Sequence, residues 1–359
     1  VYCVFDRVQI VLSVADNRIN VGDTGVLSWA GIYEYDGSAF NGEVVYNDTL
    51  IKEDVGRYWY TTEGIVEEEH GLTAFASNSV YVIFDKVTIT LAVNDDRIDV
   101  DSMAWITTTG IYQSNSEAYD GTITLNDTLT KSVVGKYFYT VSGISGDTHG
   151  ITEFECESVY CVFDRVQIVL SVADNRLNVG DAVALSWTAT YEYDDSTFEG
   201  SVAYNDTLLK TVVGKYGYEV ASISDLTHGL TAFTTNEVAV IFDKVTVTLS
   251  AEDDTIEVGG TASITWTALY QSDSASFDGT ITLNDTLTKS TAGTYYYKTD
   301  SISDDTYGIT AFESNTIAIT FFAPPEAFPL WTIIGIAAIF LIGTVVATIA
   351  FFRRRGNKH

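Results

Sequence analysis

Apolar and polar residues alternate along most of this chain. Ile264, Trp266, Ala268 and Tyr270 are interleaved with Ser263, Thr265 and Thr267, and Phe277, Gly279, Ile281 and Leu283 with Asp278, Thr280 and Thr282. A period of two is that of a strand with one buried face. Short runs of this kind are punctuated by turn chemistry: Val-Gly-Asp at Val21, Asn-Asp at Asn47, Ser-Asn at Ser77. Thr, Val, Ile and Tyr dominate, and no comparable stretch has a helical period. Many short strands separated by turns predict an all-β, antiparallel sandwich architecture. One segment breaks the pattern. From Leu330 to Phe352 the chain carries no charged residue, a run of about 35 Å as a helix, enough to cross a bilayer. A transmembrane helix is predicted over 330–352, with Trp331 at the interface and Arg353, Arg354, Arg355 and Lys358 in a cytosolic tail over 353–359. Pro324, Pro325 and Pro329 make 321–329 a stiff stalk.

The alternating region repeats itself. Phe5-Asp6-Arg7-Val8 returns as Phe84-Asp85-Lys86-Val87, Phe163-Asp164-Arg165-Val166 and Phe242-Asp243-Lys244-Val245, and Asn47-Asp48-Thr49 at Asn126, Asn205 and Asn284, each time 79 residues on. Four tandem domains follow, over 1–83, 84–162, 163–241 and 242–320, each large enough for a small core. The order is ABAB. Val1–Asp23 matches Val159–Asp181 except that Ile19 becomes Leu177, while the second and fourth copies share Gly-Thr-Ile-Thr-Leu-Asn-Asp-Thr-Leu-Thr-Lys-Ser from Gly121 and Gly279. Near-identical copies suit a spacer lengthened by duplication and suit a unique active site poorly.

Charge narrows the partners. With 49 acidic and 19 basic residues the formal net charge is −30, which repels nucleic acid and anionic lipid from the outer part. The chain begins with Val and shows no export signal, so the expectation is that further sequence lies upstream and carries part of the function.

The Val-Gly-Asp turn, the strand ending Ser/Thr-Trp-x-x-x-Tyr, and Gly-x-Tyr-x-Tyr at Gly56, Gly135, Gly214 and Gly293 together resemble the tandem immunoglobulin-like repeats (of the Big or fibronectin-III-like kind) of archaeal and bacterial membrane-anchored surface proteins. The resemblance covers Phe5 to Thr320 and implies four antiparallel immunoglobulin-like β-sandwiches. It also implies that a tyrosine of Gly-x-Tyr-x-Tyr bonds back to the backbone as a tyrosine corner. Thr108 replaces the tryptophan of the other copies (Trp29, Trp187, Trp266), and no intersheet cysteine pair is evident.

Candidate chemistry is sparse. Asn47, Asn126, Asn205 and Asn284 head N-glycosylation sequons placed in turns. His70, His149 and His228 share one position, taken by Tyr307 in the fourth copy. A single histidine per copy, without a recurring partner, reads as an aromatic-sized polar residue and not as a catalytic or zinc site. Asp95, Asp96, Asp99 and Asp101, or Asp253 and Asp254, would suit calcium if they converged, but read as a solvated acidic face; no cofactor is assigned. The junction aspartate before a base in each copy is expected to bond a turn amide or the neighbouring Arg or Lys. Cys156 and Cys161 are a disulfide candidate, with Cys3 equivalent to Cys161. On a straight strand they would lie about 16 Å apart, so the bond requires a turn at Glu157 and Ser158; otherwise the thiols are free and buried. The function expected is a non-enzymatic, membrane-anchored stalk or surface-coat protein with its repeats outside the cell, associating with other surface proteins or glycans. The alternatives are an adhesin or receptor that binds through loop tips, and an ectoenzyme whose catalytic part lies elsewhere.

Overall fold

The computed structural model describes residues 2–323. The span predicted over 330–352, most of the proline stalk and the tail over 353–359 lie outside the described residues. Among the described residues no helix is long and apolar enough to cross a membrane, and every regular element is a β-strand. Two compact units are formed: Val1–Arg165 with Tyr191–Ser196 and Thr227–Ala232, and Val166–Thr190 with Thr197–Leu226 and the chain from Phe233 onward.

In the first unit the leading segment has eight strands: β1 (Val8–Val14), β2 (Arg18–Asn20), β3 (Leu27–Tyr33), β4 (Glu43–Tyr46), β5 (Gly56–Tyr60), β6 (Thr62–Val66), β7 (Phe75–Ser77) and β8 (Val80–Asp85). One sheet has the order β3-β1-β7, a second β2-β8-β5, and β4 pairs with β6. Val8, Ile10 and Leu12, alternate residues of β1, are buried with Tyr33 and Phe40, and Val44, Ile65 and Val80 pack onto them from the other strands. The two layers therefore share one core, as the alternation requires. A second cluster, Tyr60, Val82 and Phe84, closes the far end of the same sandwich. Eight further strands, β9 (Val87–Val93) to β16 (Val159–Asp164), repeat the arrangement, with β15 (Phe154–Cys156) parallel to β9 and β16 parallel to β10 (Arg97–Asp99). Thr108 keeps the register of its strand, facing Leu91, so the loss of tryptophan leaves the topology intact.

The second unit contains the same sheets. Val166–Val172 pairs in parallel with Phe233–Thr235, and Arg176–Asn178 in parallel with Val238–Asp243. In the last segment, Gly293–Ser303 is one continuous strand in a four-stranded sheet with Thr255–Glu257, Thr316–Phe322 and Thr280–Leu283. Strand β8 belongs to the sheet of the segment before it, so the physical handover falls after Asp85, two residues past the boundary read from sequence.

Between β7 and β8 the chain crosses from one sheet to the other at Asn78. Its Oδ1 accepts from the Leu12 N–H at 2.6 Å and its Nδ2 donates to the Leu12 carbonyl at 3.0 Å, so a side chain extends the β1–β7 pairing by one step. Asn236 holds Leu170 at 2.7 and 3.1 Å, and Asn315 holds Leu249 at 2.7 and 3.0 Å. In the second segment Glu157 stands here. The crossing supplies the turn a disulfide would need, but it carries Cys156 and Cys161 into different sheets. They pack with different core clusters, and both thiols are free. Burial, then the charges of Asp95 and Asp96, push the Cys161 thiol up to about 11. Asn236→Ala is expected to strand the Leu170 N–H and carbonyl and to cost about 1–3 kcal/mol. Faster hydrogen exchange at Leu170, with the first unit unchanged, checks this.

Candidate functional site at the segment junctions

The recurring side-chain cluster of this chain lies where one segment meets the next. Asp85 ends β8 and is fully buried. It accepts from the Lys86 and Ser114 amides, each at 3.0 Å, and from the Ser114 hydroxyl at 2.6 Å. Strand β2 lies parallel to β8 with Arg18 opposite Ile83, which brings the Arg18 guanidinium to 3.5 Å from Asp85 and 4.5 Å above the ring of Tyr112 in the following segment. Two residues on, the Asn20 side-chain oxygen accepts from the Thr152 and Glu153 amides at 2.7 and 3.0 Å. Residues i and i+2 of a strand share a face, so a three-residue strand sends two side chains into its neighbour.

The second junction, also within the first unit, repeats this. Arg97 lies 3.6 Å from Asp164 and 2.5 Å from Asp194, over the rings of Tyr191 and Tyr193, with His228 Nε2 at 3.3 Å. Asp99 accepts from the Thr231 and Ala232 amides, both at 2.8 Å, and from the Thr231 hydroxyl at 2.6 Å. In the second unit, Arg176 bonds Asp243 at 3.1 Å and Asp273 at 2.7 Å over the rings of Tyr270 and Tyr307, and Asn178 accepts from Thr310 and Ala311. The corresponding positions of the last segment hold Thr255, Glu257 and Phe322, and the pattern ends there.

These arginines are 6, 7 and 3 % exposed. Desolvating such pairs offsets much of their attraction, while breaking a pair leaves an uncompensated buried charge. The aromatic floor adds cation–π attraction. Burial pushes the Asp164 carboxyl up, against the amides of Arg165 and Tyr193 and the charge of Arg97. For Arg176, burial works to lower its pKa, but the bond to and charge of Asp273 win and raise it.

The turn amide expected for the junction aspartate is present. The adjacent base is not its ion partner: Lys86 pairs with Glu155 at 3.0 Å, Arg165 with Glu192 at 2.5 Å, and Lys244 with Glu313 at 2.9 Å. The histidine rings lie edge-on to Tyr33, Tyr112 and Tyr191 at 5.3, 6.2 and 5.2 Å; His149 and His228 are partly buried and His70 is exposed. Sequence reasoning missed that the tyrosine beside the histidine position offers its ring face to the arginine at each junction, as Tyr112, Tyr191 and Tyr270 do. A signal existed in Asp16-Asn17-Arg18-Ile19-Asn20-Val21, which recurs as Asp-Asp-Arg-Ile-Asp-Val from Asp95 and Asp-Asn-Arg-Leu-Asn-Val from Asp174 and is broken at Thr255.

The suspected calcium carboxylates do not converge: Asp95 bonds the Arg97 amide and Asp99 the neighbouring segment. Among the described residues the grouping able to hold a metal is Glu67, Glu69 and His70, with ligand atoms within 4.8 Å. Glu67 already accepts from the Tyr33 hydroxyl and from the amides of His70 and Leu72 at 2.9, 2.8 and 3.1 Å. Burial opposes its charge, yet these bonds hold its pKa down at about 2, against an ordinary 4.5. The same pair, after burial, pushes Tyr33 up to about 12. A depressed carboxylate stabilises the fold above its unfolded pKa and loses that contribution as pH falls through the folded value. Protection of the His70 and Leu72 amides is therefore expected to hold down to about pH 4.5 and to fade towards pH 2, as hydrogen exchange would read.

The four sequon asparagines are exposed. Each also has a structural role: Asn47 Nδ2 donates to the Trp59 carbonyl at 3.2 Å and Oδ1 accepts from Thr61 at 2.9 Å, with the same pairing at Asn126, Asn205 and Asn284. The sequon threonine carbonyl receives the hydroxyl of the second tyrosine of Gly-x-Tyr-x-Tyr: Tyr60 to Thr49 at 3.0 Å, Tyr139 to Thr128 at 3.2 Å, Tyr218 to Thr207 and Tyr297 to Thr286, both at 3.1 Å. This is the backbone bond the resemblance implied.

No protein-family model and no curated protein matches the chain. Among solved structures it is similar to invasin, a bacterial integrin-binding protein, with 11 % identity over 89 % of this chain and 79 % of that one, at a TM-score of 0.31. It is also similar to a tetra-tandem repeat from the extending region of a large adhesion protein, with 12 % identity over 89 % of this chain and 100 % of that one, at a TM-score of 0.26.

Proposed function

We propose that this chain is a non-enzymatic cell-surface spacer, tethered through the apolar run over 330–352, whose β-sandwich segments are locked end to end by arginine grips. The observation that carries the reading is the threefold recurrence of one buried side-chain set, Arg18, Arg97 and Arg176 with Asp85, Asp164 and Asp243, at the joints and not at the loop tips. An array that presented independent binding sites would gain nothing from fixing each neighbour's orientation; a spacer gains length that resists bending. The acidic surface suits crowding against other surface proteins or glycans without collapse.

Removing residues 86–243 joins Asp85 to Lys244 and places Arg18 against the last segment's Tyr270, Asp273 and Tyr307. In the membrane-anchored chain, an amino-terminal epitope should then move closer to the bilayer, by up to about 35 Å per sandwich removed. Energy transfer from the epitope to labelled lipid measures this. Unchanged height, or loss of cell attachment without change of height, would favour the adhesin reading.

Glycans at Asn47, Asn126, Asn205 and Asn284 belong to the same proposal. Each Nδ2 has two N–H groups and the backbone bond uses one. Glycopeptide mass analysis of native protein is expected to find these sites modified; four unmodified sites would remove glycosylation from the account.

A further inference from the structure

The first segment carries the receiving half of a junction on an open face. Asp6, Tyr33, Asp36 and His70 are the sequence equivalents of Asp164, Tyr191, Asp194 and His228, which surround Arg97. The geometry is already in place. Asp6 Oδ1 accepts from the Arg7 and Tyr35 amides at 2.8 and 2.9 Å, as Asp164 does from Arg165 and Tyr193 at 2.8 and 3.0 Å. The Tyr33 and His70 rings meet edge-on at 5.3 Å, as Tyr191 and His228 do at 5.2 Å. Exposure is what differs. Leu72 is partly exposed whereas its equivalents Ile151, Leu230 and Ile309 are at most 1 % exposed, and Asp6 is partly exposed whereas Asp85, Asp164 and Asp243 are fully buried.

A segment with the sequence of a strand accompanies this face. Val1–Asp6 is identical in sequence to Val159–Asp164, the strand that lies between Arg97–Asp99 and Gly135–Tyr139. Tyr2 to Asp6 form no strand, and Tyr2 and Phe5 are 100 and 92 % exposed, against 38 % for Tyr160 and 0 % for Phe163.

We propose that this face docks a β-sandwich end that presents Arg-x-Asn or Arg-x-Asp and takes Val1–Asp6 as the last strand of its sheet. The arginine would lie on Tyr33 between Asp6 and Asp36, and the Asn or Asp would accept from the Thr73 and Ala74 amides, as Asp99 does from Thr231 and Ala232. A second copy of this chain does not fit. Its Arg18, Arg97 and Arg176 are buried in its own junctions, and its last segment offers Thr255 and Glu257 at these positions.

The test uses the full chain with Cys156→Ser and Cys161→Val, residues found at those positions in sister segments, so that Cys3 is the sole thiol. The probe is a polypeptide of residues 86–158 with Cys156→Ser, which carries Arg97 and Asp99 and lacks the strand Val159–Asp164; it is first shown to gain β-structure with the peptide Val-Tyr-Cys-Val-Phe-Asp. The expected result is one probe bound per chain, with Cys3 alkylation slowed at least tenfold. Asp6→Ala or Asp36→Ala in the chain, and Arg97→Ala in the probe, should each weaken binding at least tenfold. A strand-competent probe that leaves Cys3 alkylation unchanged would overturn the proposal. So would binding indifferent to all three substitutions, since strand pairing alone would then explain it.

Discussion

Replacing Arg97 by alanine is expected to destabilise the second junction by about 3–5 kcal/mol, the usual penalty for removing one partner of a buried ion pair. Arg97 is 7 % exposed and Asp164 0 %. Without the guanidinium, Asp164 keeps its amide bonds to Arg165 and Tyr193 but loses the positive charge beside it. Burial already raises its pKa, and removal of Arg97 raises it further. An acid whose folded pKa lies above its unfolded value favours folding when protonated, so the penalty should be largest at neutral pH and shrink on acidification. Arg97→Lys keeps charge but cannot lie flat across Tyr191 while reaching two carboxylates, and should fall between. Urea denaturation gives the stability, and exchange at the Thr231 and Ala232 amides held by Asp99 reports the joint itself. A loss below 1 kcal/mol, with those amides still protected, would mean the arginine is dispensable.

Phe163→Ala should be as damaging, by a different route. Phe163 is fully buried with Ala104, Tyr139 and Cys161, and meets Tyr137 edge-on at 5.6 Å. Emptying such a site costs about 3–5 kcal/mol, a large share of what a domain of this size holds. Hydrogen exchange should show the second sandwich opening while the last segment stays protected. The internal control is Phe5→Ala. The same residue in the same sequence context is 92 % exposed there, and its loss should change stability by no more than about 0.5 kcal/mol.

The contrast between Phe5 and Phe163 also shows what the sequence could convey. Alternation read the strands well: Val8–Val14 and Val166–Val172 bury every other residue. The tyrosine-corner bond was legible because donor and acceptor lie 11 residues apart in one segment. Phe-Asp-Arg/Lys-Val was read as a landmark, but its meaning is positional: Phe84 closes one sandwich and Val87 opens the next, so the motif is the joint. The arginine grips were not read because their partners lie far along the chain, 97 residues for Arg97 with Asp194 and 132 for Asp99 with Thr231. A strand's period fixes which face a residue occupies, not which neighbouring segment that face meets. Close backbone approach was equally silent. Gly200 must be glycine because a Cβ there would lie 2.2 Å from the Ser224 carbonyl, and Gly279 repeats this at 2.0 Å from Ser303.

The central claim is that the grips fix how neighbouring segments are oriented. The direct measurement is the distance distribution between spin labels at positions 11 and 90, equivalent exposed positions on the first strands of the first two segments, in the full chain with Cys3→Val, Cys156→Ser and Cys161→Val. The expected result is a single narrow distribution that broadens severalfold in Arg18→Ala while both sandwiches stay folded. A distribution already broad with Arg18 present, or equally narrow without it, would contradict the claim.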